Sequence, residues 1–256
     1  MSKLEIHQIP VLNDNYLYLF KEPESGLVGI VDPAVAGPVL DKLDELGWTL
    51  THIINTHHHM DHTGGNLELK EKTGCIVVGA KGDADRIPGI DIQLEDGDIF
   101  EFGSQKARVF EVPGHTRGHI AYWFEQSDAL FCGDTLFALG CGRLFEGTPA
   151  EMWHSLNKFR KLPDSTKVYC AHEYTEANAR FAVTVDPANK ALRARYAEIR
   201  ELRKKLIPTV PSTLGEEKST NPFMRADDPG LQAALGLTGA DPITVFAETR
   251  ARKDSF

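Results

Sequence analysis

Thr56-His57-His58-His59-Met60-Asp61-His62 places four histidines and one aspartate within seven residues. Neutral imidazole and carboxylate are the donors that borderline divalent ions such as zinc prefer, and no other stretch of the chain concentrates them so heavily. The alternative is a polar loop whose histidines are solvated or cap a helix. The order His-x-His-x-Asp-His weighs against it, because it spaces donors for two ions. His57 and His59, two apart on extended backbone, point the same way, while Asp61 and His62 follow a bend and face a second ion.

Further donors recur where apolar stretches end. His115 follows Ala107 to Val112, Asp134 follows Ala129 to Cys132, and His172 follows Lys167 to Ala171. Loops after strand ends are where α/β architectures usually build sites. Alone, Asp134 reads as a cap or turn residue; beside a histidine cluster, its two oxygens suit a bridge between ions. His119 reads as a hydrogen-bonding support for its neighbours. The candidate sets are therefore His57, His59 and His115 for one ion, and Asp61, His62 and His172 for another, with Asp134 shared. One catalytic zinc needs only three protein ligands, whereas two ions about 3.5–4 Å apart employ all seven donors. The expected cofactor is a pair of divalent ions per chain, zinc first, with iron or manganese compatible with the same donors. Water shared by two cations loses a proton near neutral pH, which makes hydrolysis the default chemistry.

The elements that must carry these residues read as α+β. Leu4 to Leu12, Tyr16 to Lys21 and Leu27 to Asp32 form an antiparallel meander with turns at Asn13-Asp14-Asn15 and Pro23 to Gly26. Pro38 to Gly47 has the apolar spacing of an amphipathic helix. The strand Leu50 to Asn55 delivers the histidine cluster, and Gly64-Gly65 opens a helix through Lys72. Strands follow at Cys75 to Ala80, Ile92 to Phe102 with a turn at Glu95 to Asp98, Ala107 to Val112, Ile120 to Glu125 and Ala129 to Cys132. A helix spans Pro149 to Lys161, and Lys167 to Ala171 is the last strand. Beyond Thr175 the texture is helical, over Ala177 to Val185, Asn189 to Leu206 and Pro242 to Arg252. Pro208 to Ser219 reads as a linker, and Asn221 to Arg225 as a turn. The seven basic residues of the Asn189 helix, interspersed with Glu198 and Glu201, read as a solvated face.

Composition bounds the function. With 41% hydrophobic and 25% charged residues, the 256-residue chain is a soluble globular protein of one large domain or a domain with an appendage. The net charge of −9 speaks against nucleic acid as a partner. No tract is apolar enough to span a bilayer. Met1 to His7 lacks a signal-peptide pattern, so a cytoplasmic protein is expected. Cys75, Cys132, Cys141 and Cys170 lack CxxC spacing and read as buried thiols.

The Thr-His-x-His-x-Asp-His run, Gly114-His115-Thr116, Gly133-Asp134-Thr135 and His172 resemble the metallo-β-lactamase superfamily. That resemblance implies an αββα sandwich with metals at one edge, and it is specific for fold and metal rather than substrate. Cys141 to Thr148, Ala171 to Thr175, Asn221 to Arg225 and Arg250 to Asp254 resemble the glyoxalase II (hydroxyacylglutathione hydrolase) family over nearly the whole chain. The implied organisation is a catalytic domain over 1–172 and a small α-helical substrate-binding domain over 173–256. The implied reaction is hydrolysis of S-D-lactoylglutathione to D-lactate and glutathione, the second step of methylglyoxal detoxification. In it a metal-bridging hydroxide attacks the thioester carbonyl, with Asp61 and Asp134 as the catalytic carboxylates.

Arg143, Phe145, Tyr174, Arg250 and Lys253 are implied to hold the glutathione moiety. This suits the chemistry, because glutathione carries two carboxylates and an acidic protein needs local cations to bind them. Two positions depart from some family members, which have Tyr for Phe145 and Lys for Arg143. A phenolic hydrogen bond is thereby missing and an ammonium is replaced by a guanidinium. The rivals are a mononuclear-iron persulfide dioxygenase using His57, His115 and Asp134, a superfamily nuclease, and a non-catalytic metal-binding protein. A small thioester as sole partner, a monomer, and no nucleic acid or membrane are expected.

Overall fold

The meander at the amino terminus is the foundation of the first sheet. In a computed structural model that describes residues 2–256, the chain divides into two compact units. One comprises Met1–Glu111 and Arg117–Gly133, the other Val112–Thr116 and Asp134–Phe256.

In the first unit, strands β1 (Glu5–Val11), β2 (Asn15–Lys21) and β3 (Val28–Val31) pair antiparallel as expected. Three crossovers then add β4 (His52–Ile54), β5 (Ile76–Ala80) and β6 (Ile92–Leu94), all parallel, giving the order β1-β2-β3-β4-β5-β6. The first crossover carries α1 (Gly37–Leu46), and the second carries both α2 (Met60–Thr63) and α3 (Asn66–Thr73). Val39 and Leu43 of α1 and Leu69 of α3 pack with Ile9, Leu17, Leu19, Ile30, Ile53 and Val77 in one apolar cluster. The helices thus cover one face of this sheet.

Its other face meets a second layer, in which β7 (Ile99–Phe102), β8 (Gln105–Glu111), β9 (Ile120–Phe124) and β10 (Ala129–Gly133) pair antiparallel in sequence order. An aromatic core lies between the layers. The Phe20 ring lies 5.0 Å from Phe102, 5.8 Å from Phe124 and 5.5 Å from Phe131, centroid to centroid. Room for it comes from Gly29, its register partner on β3. A Cβ at Gly29 would sit 2.4 Å from Phe20 Cζ, so the ring lies flat over the glycine. Burial of such rings contributes the largest apolar areas of the core.

The second unit contains the hairpin β11 (Leu136–Phe137) and β12 (Gly140–Cys141), α4 (Pro149–Arg160), β13 (Lys167–Cys170), α5 (Thr175–Val185) and α6 (Lys190–Lys204). It continues with β14 (Ser212–Thr213), α7 (Leu214–Thr220), α8 (Pro229–Leu235) and α9 (Pro242–Asp254). Leu139, Ala179, Ala182, Leu192 and Ile199 form its α5–α6 core. Phe223 links that region to α9 through Phe181 at 6.2 Å and Phe246 at 5.6 Å.

The α+β reading holds, with four corrections. Lys167 to Ala171 is not the last strand, since β14 pairs antiparallel with β13. The supposed linker 208–219 contains most of α7, whose start is fixed by a capping box between Thr213 and Glu216. That Thr-x-x-Glu signal was present in the sequence and was masked by Pro, Ser and Gly around it. The α8 helix, begun by Asp228 as cap and Pro229 at its first position, was also missed. The anticipated helix from Gly64 begins at Asn66, after the separate turn α2.

Candidate metal centre

The donor loop begins where β4 ends, and one buried carboxylate organises it. Asp32 accepts the Thr56 amide on Oδ1 at 2.7 Å and the Thr56 hydroxyl on Oδ2 at 2.6 Å. Having given its hydrogen to Asp32, Thr56 Oγ1 can only accept from His57 Nδ1, 3.0 Å away. Asp32 Oδ2 likewise accepts from His62 Nδ1 at 3.1 Å. Both imidazoles therefore carry their proton on Nδ1 and present the Nε2 lone pair outward, the tautomer a metal requires. Asp32 is 2% exposed and adopts φ 48 just before Pro33. That left-handed backbone is unfavourable for a residue other than glycine, and the hydrogen bonds to Thr56 hold it in place.

His57 Nε2 lies 3.1 Å from His59 Nδ1, as the extended two-residue spacing anticipated. The chain then turns into α2, where His62 Nε2 lies 3.6 Å from Asp61 Oδ2. Asn15 Nδ2 donates to the Asp61 backbone oxygen at 3.2 Å and to Oδ2 at 3.3 Å. Behind the loop, the His119 ring stacks on His57 with centroids 4.6 Å apart. Gly133 (φ 47) closes that side, since a Cβ there would meet Thr56 Oγ1 at 2.2 Å. His58 points away and pairs with Asp83 at 2.9 Å, and Met60 is 75% exposed.

In the second unit the donors face one another. His115 donates from Nδ1 to the Arg143 carbonyl at 2.9 Å, which leaves Nε2 as its donor atom. That atom is 3.4 Å from Asp134 Oδ2, and His172 Nε2 is 3.4 Å from Asp134 Oδ1. Each carboxylate oxygen thus has one imidazole, the disposition of a bridging ligand. All three residues are buried. Phe145 packs against His115 at 5.2 Å, and Tyr174 stacks on His172 at 4.7 Å with rings 3° from parallel.

These arrangements fit a metal. Bonds of about 2.0–2.1 Å at tetrahedral angles separate two ligand atoms by roughly 3.3 Å, and the four donor pairs span 3.1 to 3.6 Å. Nitrogen and carboxylate oxygen are borderline donors, suited to a divalent ion.

The residues expected to bind substrate all lie in the second unit. Arg143, Phe145 and Tyr174 are exposed, whereas Arg250 is buried. Arg250 donates from Nη1 to the Cys141 carbonyl at 3.1 Å, pairs with Asp254 at 2.7 Å, and lies 5.1 Å over the Phe223 ring. Lys253 lies over Phe181 and Phe256 at 5.3 and 5.5 Å. Burial, followed by the charges of Arg250, Arg180 and Arg143, pulls its ammonium below the usual lysine range. This segment is the end of a packed helix, not a loose charged tail. The four cysteines are free and buried, as anticipated. Burial pushes Cys141 up to about 11 and Cys170 up to about 12, so neither is a thiolate at neutral pH.

Sequence reasoning missed Asp32 and Asn15. Asp32 also sits at a strand end, the pattern that marked His115, Asp134 and His172, but its role depends on β3 pairing with β4. Among the described residues no helix is long and apolar enough to cross a membrane.

Comparison with known proteins places this geometry. Residues 15–172 match the metallo-beta-lactamase superfamily, and residues 173–256 match the hydroxyacylglutathione hydrolase C-terminus. The structure of ETHE1 from Myxococcus xanthus superposes with a TM-score of 0.67 at 25% identity, over 98% of this chain and 99% of that one. Fold and donor loop thus define a metallo-β-lactamase-superfamily hydrolase that binds divalent metal. A hydroxyacylglutathione hydrolase of Methylococcus capsulatus is 63% identical over 99% of both chains, and one of Rhodospirillum rubrum is 58% identical over the full length of both. The chain belongs to the hydroxyacylglutathione hydrolase, or glyoxalase II, family.

Proposed function

We propose that the chain is a binuclear-metal thioesterase that hydrolyses S-D-lactoylglutathione and related S-2-hydroxyacylglutathiones, the second step of methylglyoxal detoxification. The observation that carries the reading is the doubling of donor pairs, two in each unit, with Asp134 facing an imidazole on each oxygen. His57, His59 and His115 would hold one ion and Asp61, His62 and His172 the other, with Asp134 shared. When bound, the ions supply Lewis acidity that activates water and polarises a carbonyl oxygen.

The remaining work falls to side chains. Asp32 fixes the tautomers of His57 and His62, so that both stay neutral donors. Asp61, held by Asn15, orients the attacking water by accepting its hydrogen bond. Arg143, Tyr174 and Lys253 hold the glutathione portion, with Phe145 as an apolar wall. Arg250 fixes α9 against the Cys141 carbonyl and adds its charge. The leaving thiol has a pKa near ~8.5 and departs as thiolate without a strong general acid. On this reading the division of labour is catalysis over 1–172 and substrate binding over 173–256, in a monomeric cytoplasmic enzyme whose partner is a small thioester.

Loss of thioester absorbance with S-D-lactoylglutathione tests this. Metal-loaded protein is expected to turn over and His59→Ala to be inactive. Absence of metal-dependent hydrolysis, or oxygen consumption with glutathione persulfide in its place, contradicts the reading.

A further inference from the structure

The second unit carries a cationic cluster that the pairs named so far do not neutralise. Burial first, and then the charges of Arg250, Arg180 and Arg143, lower the Lys253 ammonium, so four cations share one neighbourhood in a chain of net charge −9. Asp254 is the carboxylate among them, and it is engaged by Arg250 through Nε at 3.0 Å and Nη2 at 2.7 Å. Among the described residues, Arg143, Arg180 and Lys253 make no ion pair; the Lys253 ammonium reaches only the Ala177 carbonyl, at 3.4 Å.

Two aromatic rings hold this charge in place. Lys253 lies over Phe181, which is 1% exposed, and over Phe256, which is 55% exposed. The Arg180 guanidinium lies over the same Phe256 ring at 5.6 Å. Phe256 therefore brings together a cation from α5 and one from α9. An aromatic face stabilises a cation without neutralising it, so both keep hydrogen-bond donors for an anion. Like charges crowd here at a cost that a bound carboxylate relieves.

We infer that Arg180, steadied by the ring of Phe256, is a further carboxylate-binding residue of the substrate site, acting beside Lys253. The inference rests on the glutathione-thioester reading and deepens it: the group recognised is a terminal carboxylate of the peptide portion, remote from the scissile bond. Arg180 is a specificity residue, and its loss weakens binding with little change in the chemical step.

The test is steady-state hydrolysis of S-D-lactoylglutathione, and of its analogue with the glycine carboxylate converted to an amide, by metal-loaded wild type and the variants Arg180→Ala, Arg180→Lys, Arg180→Glu and Phe256→Ala. Arg180→Ala is expected to raise KM about 5-fold at unchanged kcat, and Arg180→Glu roughly 30-fold, in the range of charge-assisted contacts at partly exposed sites. Arg180→Lys recovers most of the loss, and Phe256→Ala gives about 2–3-fold. With the amide analogue, wild type and Arg180→Ala converge. An unchanged KM in Arg180→Glu, in an enzyme that hydrolyses the thioester, overturns the inference and leaves the reading intact. A KM increase that is the same for the amide analogue also overturns it, by showing a structural effect. A wild type that hydrolyses no glutathione thioester sinks the reading and the inference together.

Discussion

The two units position the proposed metal donors by opposite constructions. In the first, four donors are contiguous in the chain, from His57 to Asp61 and His62, and a single carboxylate, Asp32, anchors them from behind. In the second, His115, Asp134 and His172 come from three separate strand ends and face one another directly. The contiguous half is preorganised by its supports, so a defect in Asp32 disturbs two imidazoles at once. The dispersed half is preorganised by where the strands end, and its centre is Asp134, a proposed ligand. Support residues and ligands therefore carry different weights in the two units.

That contrast is open to attack. The largest effect is expected at Asp134, because both imidazoles of its unit face it. Asp134→Ala should cost on the order of 10³-fold or more in kcat, corresponding to several kcal/mol of lost transition-state stabilisation, and metal analysis should show ion loss. A variant retaining near-normal turnover breaks the comparison. Next comes Asp32→Ala, expected to reduce metal affinity or activity by roughly 10–100-fold, as removing an outer partner of ligating histidines does. Thr56→Val should fall in the same direction with a smaller loss, read by metal titration of both variants. If Asp32→Ala is as damaging as Asp134→Ala, the distinction between support and ligand is wrong.

Stability offers a further contrast, because the aromatic core belongs to the first unit. Phe20→Ala should destabilise by about 3–5 kcal/mol through the cavity left among Phe102, Phe124 and Phe131, measured by denaturant unfolding. The smallest effect concerns Glu22. Burial raises its carboxyl, but the Ser25 hydroxyl and the amides of Glu24, Ser25 and Ser104 outweigh that and bring it down from 4.5 to about 2. A depressed carboxylate contributes stability that is present above its unfolded value and is lost as pH falls through the folded one. Glu22→Gln should therefore melt lower than wild type at pH 7, and the gap should shrink between about pH 4.5 and 2. A gap independent of pH contradicts this.

Legibility followed the same division. The seven proposed donors stood out because metal chemistry restricts residue types and because His57 to His62 are local. His115, Asp134 and His172 became convincing only through that first cluster. Asp32 could not be read, since one Asp before a proline is ordinary turn chemistry until β3 is known to lie beside β4. The core sheets were visible in alternation and apolar runs, whereas the flat fit of Phe20 on Gly29 depends on strand register. In the second unit, α7 was hidden because a Pro- and Ser-rich composition outweighed a correct capping signal. Arg180 was invisible because only folding brings α5 beside the end of α9.

The central proposal is that the chain is a binuclear-metal thioesterase. Metal-stripped protein titrated with zinc while hydrolysis of S-D-lactoylglutathione is followed tests it most directly. The account predicts activity that rises to a plateau at two equivalents per chain, and an Asp61→Ala variant that binds one equivalent tightly with little turnover. Full activity at one equivalent, with Asp61→Ala indistinguishable from wild type, would contradict it.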